Sequence, residues 1–236
     1  MLSGHDVPLP AGRGTARAPL GAKTDALIPS RTQSRRMETT TESTFRVLGA
    51  APERADDLLL LDRADHEPVR VAADGYDDLA VDALRPGYLV DATLSWDDGD
   101  ARFAALDVRK RTLFTYADAV SGLFEAALDT MEQAHQEATG VQGRPTFSAD
   151  GEPNGAVYAF AEQPGERDVF EEIQTGAFPL EPLVDRLNEE EDCEHEVFVF
   201  RPLDHDFVVV YLVLHKESIL ADTVRDTYDC PRPSEA

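Results

Sequence analysis

The sequence predicts an α+β protein. It places a small antiparallel β-barrel in front, an amphipathic connecting helix behind it, and an α+β unit with an antiparallel hairpin at the end. Three observations carry this. Asp97-Asp98-Gly99-Asp100 separates two alternating runs, 88–96 and 101–114, and an Asp-Gly pair so placed marks a tight hairpin. Val120, Leu123, Phe124, Ala127, Leu128, Met131 and Ala134 recur at spacings of three and four, which puts them on one helix face. "EVFVFRP" and "FVVVYLVL" are apolar almost without a break, as strands covered on both faces are.

The elements follow in chain order. Residues 1–36 hold six basic residues and two acidic ones, with much Gly, Pro, Ala and Ser and no apolar period. Such a segment buries too little surface to offset chain entropy and is expected to be disordered, with translation starting at Met37 and residues 1–36 either a mis-assigned start or a floppy tail. "METTTEST" follows the twin arginines where a secretory signal needs an apolar run. Residues 37–115 form the expected barrel, from "TFRVLGA", "LLLL", "PVRVAA" and the 88–114 hairpin. Five short strands of this kind remove their exposed edges by closing. Residues 116–236 form the rest. The helix runs to about Gly140, a residue suited to its end. A breaker-rich connecting loop is expected over 139–155, then a strand at 156–161. A helix opened by Pro164 ends near Gly176, and a further helix covers "PLEPLVDRLNEEE". The last hairpin turns on "LDHD", and a helix after Ser218 closes the chain.

Charge sets the environment. Removing the first 36 residues from the chain's 22 basic and 46 acidic groups leaves 16 and 44, a net of −28. Lysine is limited to Lys23, Lys110 and Lys216, against 19 arginines. Dispersed carboxylates with few lysines suit molar salt, where the screening length falls to ~3 Å and mutual repulsion is muted. The expected setting is a halophilic cytoplasm. Two cysteines do not make a disulfide framework. The longest apolar run is far short of a bilayer span, so no membrane is expected.

Two resemblances add to this. "GRPTFSADGEPNGAVYAFAE", "FVFRPLDHDFVVVYLVLH" and the acidic composition resemble uncharacterised haloarchaeal proteins of about this length. That implies a halophilic setting and supplies no reaction. "RPGYLVDATLSWDDGDARFAALDV" loosely resembles the central hairpin of OB-like and TRAM-like small barrels. That implies a nucleic-acid-binding capacity without naming contacts.

The densest positive patch in the acidic body is Arg109, Lys110 and Arg111, with Arg102 on the same arm. With Phe103 and Trp96 as aromatic neighbours, these residues are the candidate contacts for single-stranded RNA or DNA. Phe103 is expected on the outer face with Asp107, Arg109 and Arg111, opposite Ala104, Leu106 and Val108. The plainer reading pairs the cations with neighbouring carboxylates, and molar salt weakens phosphate contacts in any case. Cys193, His195, His205 and Cys230, with His215, supply ligand types for zinc but lack knuckle spacing. His205 between Asp204 and Asp206 is a candidate base, with no nucleophile placed beside it by sequence. Asp-rich turns of this kind are ordinarily only turns. "SADGEPNG" in the 139–155 loop offers polar groups that could cover a pocket or bind a cation. No Walker loop, HExxH, GxSxG or Rossmann glycine pattern occurs, so no cofactor or catalytic residue is assigned. The expectation is a non-enzymatic binding or adaptor protein, with single-stranded nucleic acid or another protein as partner. A metal-dependent or hydrolase-like enzyme centred on His205 and the 139–155 loop is the alternative, and a protein-interaction scaffold a third.

Overall fold

The computed structural model describes residues 39–162, 165, 167–190 and 192–233. The expected tail and start at Met37, and the helix-opening role of Pro164, lie outside the described residues. Among those described, ten strands and four α-helices form a mixed α+β body with two sheets.

The first sheet is ring-like. It comprises β1 (Thr39–Ala51), β2 (Arg54–Asp62), β3 (Pro68–Ala72), β4 (Leu89–Asp97) and β5 (Asp100–Lys110). Its order is β1-β2-β3-β5-β4, and β4 pairs back onto β1. The β3–β5 contact is parallel and short, with Val71 opposite Ala101. The Asp97–Asp100 turn joins β4 to β5 as expected. Phe45, Val47, Leu60, Val71, Val90, Leu94 and Phe103 fill the interior. On β3, β4 and the start of β5 the inward residues alternate with more exposed ones, as a strand with one dry face requires. Phe45–Leu48 and Leu59–Asp62 are instead buried at every position, and Leu48, Ala51, Leu59 and Leu61 form a second small core.

One phase expectation fails. The register of β4 on β5 shifts between Thr93 and Leu94, so the pairing steps from Ala105 to Phe103. The extra residue, Ala104, inverts the inward and outward positions. Phe103 therefore points into the ring, only 5 % exposed. Leu106 and Val108 pack on the same core from beyond the bulge.

The second sheet has the order β6-β9-β10-β8-β7, formed by β6 (Leu113–Val120), β7 (Val141–Phe147), β8 (Pro153–Ala161), β9 (Glu196–Pro202) and β10 (Phe207–Val213). Every residue of β10 is buried. Its even and odd positions face different cores. Val208, Val210 and Leu212 meet α2 (Val169–Thr175) and α3 (Glu181–Glu190). Phe207, Val209, Tyr211 and Val213 meet α1 (Glu125–Glu137) and α4 (Ile219–Thr227). Helices on both faces explain the unbroken apolar runs. Asp168 caps α2 by accepting from the Glu171 N–H at 2.8 Å. Ser218 caps α4 by accepting from the Ala221 N–H at 3.2 Å.

Two segments differ from expectation. Residues 113–120 are neither the end of a hairpin arm nor the start of a helix, but the strand β6, parallel to β9. Phe114, Thr115 and Tyr116 favour extended backbone. Positive φ at Ala119 and Gly122 delays α1 to Glu125. The helix closes at Ala138 in the left-handed conformation, before Gly140. The 139–155 segment is largely the β7–β8 hairpin, with its turn at 148–152. Its glycines are packing residues. A Cβ on Gly143 would come within 2.3 Å of the Tyr158 ring, and one on Gly155 within 2.3 Å of the Leu212 carbonyl.

Residues 37–236 cluster as one unit. Only Arg111 and Thr112 separate β5 from β6. Across this joint Arg46 of β1 and Glu181 of α3 form a two-pronged ion pair, with Nε–Oε1 and Nη2–Oε2 both 3.0 Å. Both residues are 1 % exposed. Arg46 Nη1 also donates to the Gly87 carbonyl at 2.8 Å, so the guanidinium is well satisfied in a dry place.

Candidate functional site

Outside the ring, a shallow groove of about 350 Å³ runs across β2, β3 and β5 to the Asp97–Asp100 turn. Arg70 and Arg102 reach it because they alternate with inward-facing Val71 and Ala101. Arg102 stacks its guanidinium on the Tyr76 ring, 4.9 Å from the centroid. Its Nη2 donates to the carbonyls of Asp74 at 2.7 Å and Gly75 at 3.3 Å. Arg70 lies 3.6 Å from Asp57 and 3.5 Å from Glu53. Arg54 lies 3.7 Å from both Asp57 and Asp100. The groove thus presents three guanidinium planes held in place by carboxylates, carbonyls and one aromatic ring.

A second cluster sits where β9 begins. Cys193 Sγ lies 3.6 Å from His195 Nδ1 and 3.7 Å from His215 Nδ1, and donates to the Leu214 carbonyl at 3.1 Å. His195 Nδ1 is 2.6 Å from the same carbonyl, so that nitrogen carries a proton and donates it. Asn188 of α3 brings Oδ1 within 3.3 Å of His195 Nε2 and accepts from Lys110 Nζ at 2.7 Å. Lys110 also pairs with Asp192, whose carboxyl it holds below the usual range. Burial pushes the His195 imidazole below the ordinary histidine value.

The profile of a family of unknown function, DUF6663, matches residues 37–233. The chain belongs to DUF6663. No curated protein and no solved structure matches it. Its chemistry in this DUF6663 member is therefore read from the side chains alone.

The structure does not assemble the six residues of the basic arm. Arg102 enters the groove, while Phe103 is inside the ring. Trp96 is partly buried, donating its indole N–H to Thr41 Oγ1 at 3.1 Å. Arg109, at the far end of β5, lies 3.5 Å from Asp91. Lys110 turns toward α3, and the Arg111 main-chain N–H donates to Glu194 at 3.1 Å. Arg54, Arg70 and Tyr76 complete the groove and were not marked by sequence, because they come from separate strands and loops.

The zinc set is not assembled either. Cys193 and His195 meet. His205 stands in the β9–β10 turn, its ring 5.3 Å from Phe207. It is at the opposite end of β9, roughly 20 Å along the strand. Cys230 follows α4, donates to the Tyr228 carbonyl at 3.3 Å, and has its thiol pKa pushed up by burial. Among the described residues no group of three or more His, Cys, Asp or Glu is arranged to hold a metal ion. His205 and the 148–152 turn lie at opposite ends of the β8–β10 pairing, so they do not share a cleft. Sequence names His215 among the ligand types but misses Asn188, which lies against His195, and one signal marks both. Two of the chain's three lysines flank this cluster: Lys110 binds Asn188, and Lys216 lies 3.4 Å from Glu194.

A cleft of about 480 Å³ lies between ring and second sheet, lined by Leu48, Pro86, Tyr116, Phe170 and Arg201. Arg201 is already committed there: it stacks 4.7 Å over Phe170 and bonds to Asp118 and Asp168. Among the described residues no helix is long and apolar enough to cross a membrane.

Proposed function

We propose that this chain is a non-enzymatic binding protein of a salt-rich cytoplasm, and that it holds single-stranded nucleic acid in the ring groove. The observation that carries the reading is the Arg102–Tyr76 stack, flanked by Arg54 and Arg70, on the β2–β3 face. Five-stranded, partly open OB-type barrels bind oligonucleotides on that face and on the loops after strands 1 and 4. Here the groove takes in the start of β2, the β3 face and the β4–β5 turn.

The carboxylates shape the expected mode of binding. Arginines already paired with Asp57, Glu53 and Asp100 gain little from phosphates in molar salt. Their planes remain suited to stacking on bases, a weakly hydrated contact that screening does not remove. The test is anisotropy of a fluorescein-labelled oligo(U) and oligo(dT) with the full chain in 0.5–3 M KCl. We expect saturable binding with a shallow salt slope. A combined Arg54→Ala, Arg70→Ala, Arg102→Ala variant should weaken it at least about tenfold, the loss of one stacked base. A combined Arg109→Ala, Arg111→Ala variant should leave it unchanged. No binding at any salt, or equal loss in both variants, overturns the reading.

A further inference from the structure

Cys193 and Cys230 share one chain and differ in surroundings. Both thiols donate to a backbone carbonyl, Cys193 to that of Leu214 and Cys230, after α4, to that of Tyr228, and at Cys230 burial also holds the proton on. Cys193 is partly exposed, before β9, with two imidazole nitrogens within 3.7 Å of its sulfur. The groups that face it come from four directions. His195 stands at the head of β9, and His215 and Lys216 follow β10. Asn188 comes from α3 with Lys110 from β5. Asp192 and Glu194 flank the cysteine itself. The two carboxylates are paired with the two lysines. Imidazole is the kind of group beside the sulfur that is able to receive its proton.

The two histidines play different parts. His195 commits its Nδ1 proton to the Leu214 carbonyl, the same oxygen that accepts from the Cys193 thiol, so it holds the turn around the sulfur and does not take the thiol proton. His215 is exposed, and its Nδ1 is placed to accept the thiol proton. We propose that Cys193 is a reactive thiol that takes up a small disulfide as a mixed disulfide, with His215 as its base. The thiol proton passes to His215 Nδ1, and the thiolate attacks one sulfur of the disulfide. The S–S bond of the reagent breaks as the bond to Cys193 forms. The released thiolate takes the proton from the imidazolium and leaves as free thiol. One disulfide is exchanged for another, with no net change in oxidation. Lysine scarcity sharpens the inference, since a sequence that otherwise avoids lysine places two of them here.

Cys230 serves as the reference within the same molecule. The full chain in molar KCl is treated with 2-hydroxyethyl disulfide between pH 6 and 9, and adducts at each cysteine are followed by peptide mass spectrometry. At pH 7 Cys193 should react about tenfold faster than Cys230, which among the described residues has no imidazole beside its sulfur to take the proton and whose thiol burial keeps protonated. His215→Gln, an exposed change, should bring the Cys193 rate down toward that of Cys230 and move its pH profile upward. Equal rates at the two thiols, or a Cys193 profile that His215→Gln leaves in place, would overturn the proposal.

Discussion

The ring and the second sheet use the same apolar residues and leave different surfaces available. In the ring β3, β4 and the start of β5 have one dry face, and the outer side of β3 and β5 carries Arg70, Arg102 and their carboxylate neighbours into water, while β1 and β2 are dry on both faces over Phe45–Leu48 and Leu59–Asp62. In the second sheet β9 and β10 are dry on both faces, because helices cover each side. Although its edge strand β7 is exposed at alternate positions, the middle of that sheet has no open face. Its reactive groups can only stand where strands begin and end, and Cys193, His195 and His215 stand there. The difference teaches where to look: across the strands in one sheet, at their tips in the other.

The largest expected effect strikes the joint between the two. Glu181→Ala leaves Arg46 charged, buried and without its carboxylate, which costs about 3–5 kcal/mol. Thermal unfolding in 2 M KCl should show the midpoint falling for the whole unit. If only one sheet melts early, the two are less coupled than the buried pair implies.

A smaller effect separates the sheets by acidity. His195 is held neutral by burial, its pKa depressed from 6.5. Below that value the unfolded chain binds a proton that the folded chain resists, so stability falls as pH falls through 6.5. A single proton limits the slope to about 1.4 kcal/mol per pH unit. Signals from the second sheet should weaken first between pH 6.5 and 5. Tyr211 fluorescence and amide exchange on β9 would check this, and an earlier loss in the ring would contradict it.

The smallest effect sharpens the contrast further. Ser218→Ala removes the cap on α4 and should cost about 1 kcal/mol. It acts on the helix layer behind β10, so denaturant melts should move while groove binding stays unchanged.

Much of this fold was legible where one rule acted alone. The Asp97–Asp100 turn and the β9–β10 pair follow from turn chemistry and apolar runs. Legibility failed where two rules competed. Gly143, Pro145 and Gly155 read as loop breakers, yet Gly143 and Gly155 are small because a tyrosine ring and a carbonyl lie against them. The Ala104 bulge reversed Phe103, since no periodic reading detects one inserted residue. The site was legible as residue types, with His215 named beside Cys193 and His195, but only the last two could be placed together. Asn188 and His215 reach them from α3 and from beyond β10, a meeting that only the fold arranges. Of Arg102, Arg109, Lys110 and Arg111, the basic residues that sequence singled out, Arg102 alone reached the groove, because strand length carries Arg109 to the other end of β5.

The Arg46–Glu181 contact has a consequence for ancestry. Cutting the gene between β5 and β6 would leave one product with a stranded cation in a dry wall and the other with a stranded anion. Neither fragment would travel well into an unrelated gene, so recombination should pass the two pieces on together or lose both.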